Sequence, residues 1–221
     1  MFRTLVKSFL LTTAAIAFSS AHATLIDFEQ TPFADSSRSE SVVYDLGNGR
    51  TMTITAFVLT VNDGEGNIFD RSQVLDPWGV YLGSTGLGAR INSDDSNSLD
   101  GSDENSATDF DEGLLFSFNF HAELAAINFG SWNSSDDFNL EVDGVNLMHD
   151  VSAFETNAFI SRTPENDKFN FRNVTGRDFL IWADGDTDSF RIDDITVYVP
   201  EPAAIGLLGL CLLVLSRLRS R

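Results

Sequence analysis

Apolar and polar residues alternate with a period of two through most of this chain. In Leu115-Phe116-Ser117-Phe118-Asn119-Phe120 the three Phe share one side, and Ser117 and Asn119 share the other. That is the spacing of a strand with one face on a core. Asp137-Phe138-Asn139-Leu140-Glu141-Val142 alternates throughout, so Asn139 and Glu141 are expected on the solvent side. Met52, Ile54 and Ala56 oppose Thr51, Thr53 and Thr55, and Phe169 and Phe171 oppose Lys168, Asn170 and Arg172. The same pattern predicts strands at 25–29, 41–46, 57–61, 78–82, 125–130, 178–183 and 189–199. Gly47-Asn48-Gly49, Asp63-Gly64, Asp143-Gly144 and Asp184-Gly185 supply the left-handed backbone that tight hairpins require. The body carries no amphipathic helix of three turns, and 121–126 reads as a short turn or the start of a strand. In the last strand Phe190 and Ile192 share one parity, while Ile195, Val197 and Val199 share the other. The slip at Asp193-Asp194 predicts a β-bulge. Many short strands with one apolar face predict an antiparallel β-sandwich, jelly-roll-like, with a closed barrel as the alternative.

Composition narrows the chemistry. Hydrophobic residues at 43% and charged residues at 21% describe a folding chain, and 19 Phe supply its core. One Cys and three His leave neither a disulfide framework nor a Cys/His zinc cluster. The formal charge is −19, which argues against a nucleic-acid partner. Between 24 and 202 nine basic residues face 33 acidic ones, a formal charge of −24. Such a surface attracts divalent cations and repels anionic polysaccharide unless a cation bridges the two.

The ends read as addresses. Arg3 and Lys7 precede an apolar run from Ser8 to Phe18, and Ala21 and Ala23 give the small-x-small pattern of signal peptidase. Residues 1–23 are expected to be a signal peptide cleaved after Ala23, leaving a domain over 24–199. At the other end Pro200-Glu201-Pro202 precedes an apolar segment over 203–216, then Arg217, Arg219 and Arg221. Fourteen helical residues cover about 21 Å, short of a hydrocarbon core of roughly 30 Å. The segment lodges in a bilayer only if the arginines snorkel, and those arginines favour a cytoplasmic C-terminus. Cys211 within it reads as apolar filler.

This tripartite tail over 200–221 resembles the PEP-CTERM sorting signal of Gram-negative bacteria. The resemblance implies recognition of Pro200, Glu201 and Pro202 by an exosortase, a membrane enzyme that removes the tail. It also implies a transient inner-membrane intermediate anchored by a short hydrophobic helix. The destination would be the cell surface or an extracellular biofilm matrix, in company with exopolysaccharide.

The body offers little catalytic equipment. Gly83-Ser84-Thr85-Gly86-Leu87-Gly88 lacks the Lys-Ser/Thr of a phosphate loop and reads as a turn between strands. No G-x-S-x-G elbow is present. His22 leaves with the signal peptide and Cys211 with the tail, so only His121 and His149 remain, with His149-Asp150 reading as structural. The body is therefore expected to be non-enzymatic, with a secreted carboxylate-dependent glycan hydrolase as the rival. Residues 92–112 hold eight acidic side chains and almost nothing apolar, which reads as a solvated loop, with an ordered cation-binding loop as the alternative. Asp184, Asp186 and Asp188, followed by Asp193 and Asp194, alternate as hard-cation ligands do, so a structural Ca2+ is the expected cofactor, with a merely polar hairpin turn as the alternative. Phe190-Arg191-Ile192-Asp193-Asp194-Ile195-Thr196-Val197 and Ile26-Asp27-Phe28-Glu29 resemble the closing and opening strands of carbohydrate-binding jelly rolls. That resemblance implies Glu29 with Asp193 or Asp194 as Ca2+ ligands. Trp78, Trp132 and Trp182 are the candidate sugar-binding aromatics.

Overall fold

A computed structural model describes residues 21–28, 37–62, 67–93, 95–101, 111–152, 160–162, 167–183, 185 and 187–200. The expected apolar run of the signal peptide, the 203–216 segment, Glu201, Pro202 and the terminal arginines lie outside them, as do Glu29, Asp184 and Asp186. The chain runs through β1 (Ala21–Asp27), β2 (Ser37–Ser39), β3 (Ser41–Gly47), β4 (Arg50–Asn62), β5 (Asn67–Gln73), β6 (Gly79–Gly83) and β7 (Gly86–Arg90). It continues through β8 (Leu99–Asp100), β9 (Asp111–Gly130), β10 (Asp137–Val142), β11 (Val145–Ser152), β12 (Ile160–Arg162), β13 (Lys168–Trp182) and β14 (Ser189–Pro200). Among the described residues no helix is long and apolar enough to cross a membrane.

The architecture is an antiparallel β-sandwich, and its hairpins sit where the turn residues require them. Asn48 and Gly49 have φ of 56° and 73° between β3 and β4, and Asp143 and Gly144 have 50° and 81° between β10 and β11. Both central residues are left-handed, which matches the twist of the flanking strands. Gly83 pairs with Gly86, so the glycine-rich run is the β6–β7 turn. The edges at β11 and β2 remain open, so the sheet does not close into a barrel.

Two strands belong to both layers. The first half of β9, residues 111–118, pairs with 52–59 of β4 on one side and 178–182 of β13 on the other. Its second half keeps β13 as a neighbour but exchanges β4 for β14. Register shifts in β13 between Asn170 and Val174, and between Gly176 and Asp178, accompany the exchange. Such irregularities let a strand bend and pass from one layer to the next. The sequence pattern predicts separate strands at 115–120 and 125–130, and again at 168–172 and 178–183. Each pair is one long strand, because a bulge changes parity without ending the hydrogen bonding.

Phe129 sits at the centre of the core. Its ring lies 4.7 Å from Trp132, 4.9 Å from Phe138, 5.1 Å from Phe190 and 5.5 Å from Phe169. These rings come from β9, β10, β13, β14 and the segment after β9, so one aromatic cluster ties the layers together. Each buried Phe contributes about 1.5–3 kcal/mol before entropy, and each edge-on or offset ring pair about 0.5–1.5 kcal/mol more.

A second apolar cluster, Leu59, Leu180 and Trp182 with Phe57, Ile68 and Leu115 against it, covers the other face of the β4–β9–β13 layer. It corrects the expectation for β10: Asn139 and Glu141 are 0% and 7% exposed, not solvent-facing. Glu141 is tolerated there because the Arg71 guanidinium donates to both its oxygens at 2.9 Å.

Candidate functional site

Carboxylates collect at one end of the sandwich. β8 pairs with the start of β14, Asp100 opposite Ser189 and Leu99 opposite Phe190. The Gly101 N–H donates to the Asp188 carbonyl at 3.1 Å, and the Ala183 N–H donates to the Glu112 carbonyl at 3.2 Å. The 95–101 segment, the start of β9 and the 183–188 turn therefore meet.

Asp95, Asp100 and Glu112 each bring one oxygen within 4.8 Å of the others. Asp95 Oδ2 accepts the Ile91 N–H at 2.5 Å, Asp100 Oδ2 accepts the Ser96 hydroxyl, and Glu112 Oε2 accepts the Asp100 N–H at 3.3 Å. Asp100 Oδ1 is buried and has no hydrogen-bond partner among the described residues. Glu112 is 2% exposed, and its pKa is raised well above the ordinary value. Burial is the main cause, the charges of Asp95 and Asp100 add to it, and the Asp100 N–H opposes it. Three such oxygens either share protons or bind a hard divalent cation, which takes oxygen ligands at about 2.3–2.6 Å.

This trio revises the reading of 92–112 as a solvated loop. Leu99 is fully buried and pins the segment to the core, while Asp111 and Glu112 open a strand with both side chains buried. Asp94 and 102–110 lie outside the described residues.

Beside the trio, two further carboxyls knit loops together. Asp188 Oδ1 accepts the Asp137 N–H at 3.0 Å, and its Oδ2 accepts the Gly185 N–H at 3.1 Å. Asp136 accepts from the Asn133 N–H, the Asn133 carboxamide and the Ser189 N–H. Burial raises both pKa values, that of Asp188 to about 8 with a contribution from the neighbouring Asp137 charge. Asp188, expected as a cation ligand, is thus bonded through both oxygens to backbone.

The bulge lies where the parity slip predicts. Ile192 pairs with Phe129 and Asp194 with Asn128, leaving Asp193 as the extra residue. Its carboxyl lies against Gly86 and Gly130, and a Cβ at Gly130 would also meet the Thr85 carbonyl at 2.6 Å. The Asp193 carbonyl accepts the Phe28 N–H at 2.9 Å, so the bulge anchors the first strand's end. Asp194 accepts the Asn128 carboxamide at 3.2 Å, and its pKa is raised by burial, with Lys168 opposing and Asp27 adding. Asp188, Asp193 and Asp194 do not converge as a trio; among the described residues Asp95, Asp100 and Glu112 do.

The other candidates fall in varied settings. Ala21 and Ala23 are exposed at the start of β1, and Pro200 is the last residue of β14. His149 Nδ1 lies 3.0 Å from Asp150 Oδ2 on β11, and His121 is exposed on β9. Trp182 is fully buried and Trp132 belongs to the aromatic cluster. Trp78 alone of the three has guanidiniums over its ring, those of Arg38 and Arg90.

The fold and the site define an acidic all-β protein with carboxyls crowded at one end. No family model, curated protein or solved structure matches the chain.

Glu112 and Asp188 hold protons more tightly folded than unfolded, so their contribution to stability is full below the unfolded pKa near 4 and declines as pH rises, for Asp188 toward about 8. Thermal melting in chelator is expected to show Tm falling between pH 5 and 8. Asp188→Asn flattens the upper part of that fall while costing about 1–3 kcal/mol at pH 5, because a carboxamide keeps one accepting oxygen and its nitrogen cannot accept the second backbone N–H. A Tm that is flat or rising across this window contradicts the assignment.

Proposed function

We propose that the chain is exported and sorted by the PEP-CTERM route to the surface or matrix of a Gram-negative bacterium. There it acts as a non-enzymatic, polysaccharide-associated binding or structural module. The observation that carries this reading is the tail, Pro200-Glu201-Pro202, the apolar 203–216 and three terminal arginines, opposite an N-terminal signal peptide pattern. Signal peptidase and an exosortase are its partners in transit, with Ala21 and Ala23 read by the first and Pro200, Glu201 and Pro202 by the second. The body's formal charge of −24 between 24 and 202 favours solubility once it is exported.

Ca2+ belongs to this reading as a structural ion. The convergence of Asp95, Asp100 and Glu112, with Asp100 Oδ1 buried and unpartnered among the described residues, supports that end of the sandwich as its place. One observation favours the hydrolase alternative: Glu112, its pKa raised by burial, lies beside two other carboxyls, and glycosidases work through paired carboxyls of which one has a raised pKa.

Replacing Pro200, Glu201 and Pro202 with alanines is expected to leave the tail attached in an exosortase-bearing host, read as a larger, membrane-retained product on immunoblots. Processing identical to wild type overturns the sorting assignment.

Millimolar Ca2+ is expected to raise Tm over chelator by several degrees. Saturation at a hundred times Kd is worth about 2.7 kcal/mol, and about 2–4 °C follows per kcal/mol in a domain of this size. Glu112→Gln should lose most of that shift, with neither form releasing reducing sugar from the host polysaccharide. Coincident melts refute the ion, and sugar release abolished by Glu112→Gln establishes the hydrolase instead.

A further inference from the structure

The sandwich also carries a face of opposite character. On β2, β6, β7 and β14 the inward side is apolar: Val80, Leu82, Leu87, Ala89 and Ile192 are all at most 4% exposed. The outward side follows from the register. Arg38 pairs with Tyr81, Tyr81 with Gly88 and Gly79 with Arg90, while Leu87 opposite Ile192 leaves Arg191 on the outer face. The Arg38 guanidinium lies 5.3 Å from the Trp78 ring centre, Arg90 lies 5.6 Å from the same ring, and Arg191 lies 5.3 Å from the Tyr81 ring. Three of the nine basic residues between 24 and 202 thus gather on two aromatic rings.

Their partners are unexpected for so acidic a chain. Arg71 finds a carboxylate, Glu141. Among the described residues none of the three patch arginines does. Arg90 donates to the Asn92 and Ser93 carbonyls and the Asn97 carboxamide oxygen, so it is held in place with its charge uncompensated. Arg191 donates to the Thr85 hydroxyl, and its Nε is buried without a partner. Arg38 is exposed, with its guanidinium over the Trp78 ring. A guanidinium held over a ring can still offer free N–H groups to a carboxylate. Exposed Arg38 offers its whole edge, while Arg90 and Arg191 offer the N–H groups not already engaged or buried.

We infer that this face, Arg38, Trp78, Tyr81, Arg90 and Arg191, docks a carboxylated polysaccharide. The inference rests on the exported, polysaccharide-associated reading above and names the class of glycan and the place it binds. Guanidiniums take uronate carboxylates in paired hydrogen bonds, and the aromatic edges between them suit the C–H faces of pyranose rings. Charge decides among polyanions. At physiological salt charges are screened beyond about 8 Å, so a carboxylate at the patch is shielded from the distant part of the acidic body. A duplex nucleic acid carries one charge per about 1.7 Å and would set much of its length against that body. A glycan with sparse carboxylates matches the patch and escapes most of the repulsion.

The test is affinity electrophoresis of the purified full chain in chelator, with polygalacturonate, dextran or duplex DNA cast in the gel, alongside Arg38→Ala and Arg191→Ala. Chelator removes cation bridging through the acidic end. The expected result is retardation by polygalacturonate alone, relieved by about 0.5 M salt. Each variant should weaken it about tenfold at unchanged Tm, the loss of one charge-assisted hydrogen bond. Retardation that survives both variants, equal retardation by dextran or DNA, or none by polygalacturonate overturns the inference. So does a salt-sensitive dimer abolished by Arg38→Ala, which assigns the face to a second copy. Binding by the purified chain does not depend on export, so failure here leaves the sorting reading standing, and failure of tail removal leaves this one standing.

Discussion

Burial of aromatic rings on the two strands that serve both layers is the constraint from which the rest of this structure follows. β9 and β13 pair with each other along almost their whole length, yet each has different outer neighbours at its two ends. Hydrogen bonding alone would let such strands continue as a flat ribbon. The Phe129 cluster, reaching to Phe138 on β10 and Phe190 on β14, makes the layers fold over one another. Where the strands bend, side chains slip parity, and the Asp193 bulge is one product of that slip.

The same closure sets the charge distribution. Bringing β8, the start of β9 and the 183–188 turn to one end forces Glu112, Asp136 and Asp188 out of water. Backbone N–H groups offset the cost for Asp136 and Asp188, and Glu112 is left beside two other carboxyls. Elsewhere, three strands, β2, β7 and β14, present guanidiniums over the Trp78 and Tyr81 rings with no carboxylate among the described residues to meet them. A strongly negative body thereby gathers carboxyls at one end and three arginines on one face.

Much of the fold was legible. The β10 strand over 137–142, the Asn48-Gly49 and Asp143-Gly144 turns and the bulge at Asp193 all follow from local rules: period-two alternation, left-handed turn residues and a parity slip, while Asp63-Gly64 and Asp184 lie outside the described residues. What stayed hidden depended on partners distant in sequence. Asn139 and Glu141 read as solvent-facing because nothing nearby tells of the Leu59–Leu180–Trp182 cluster over them. β7 reads as a glycine turn because its glycines are needed for close approach: a Cβ at Gly88 would collide with the Asn97 carbonyl. The acidic trio was invisible for the same reason, since Asp95 and Asp100 reach Glu112 only through β8 and its pairing with β14. Its one local signal was Leu99, a lone apolar residue in a polar stretch.

Native-state hydrogen exchange of the full chain tests the central claim most directly. If β9 and β13 bind both layers into one cooperative unit, the amides of 113–118 and 122–129 exchange together, at the slowest rate in the molecule and only through global unfolding. Two distinct exchange rates, with the half of β9 beside β4 opening while the half beside β14 stays protected, would contradict it.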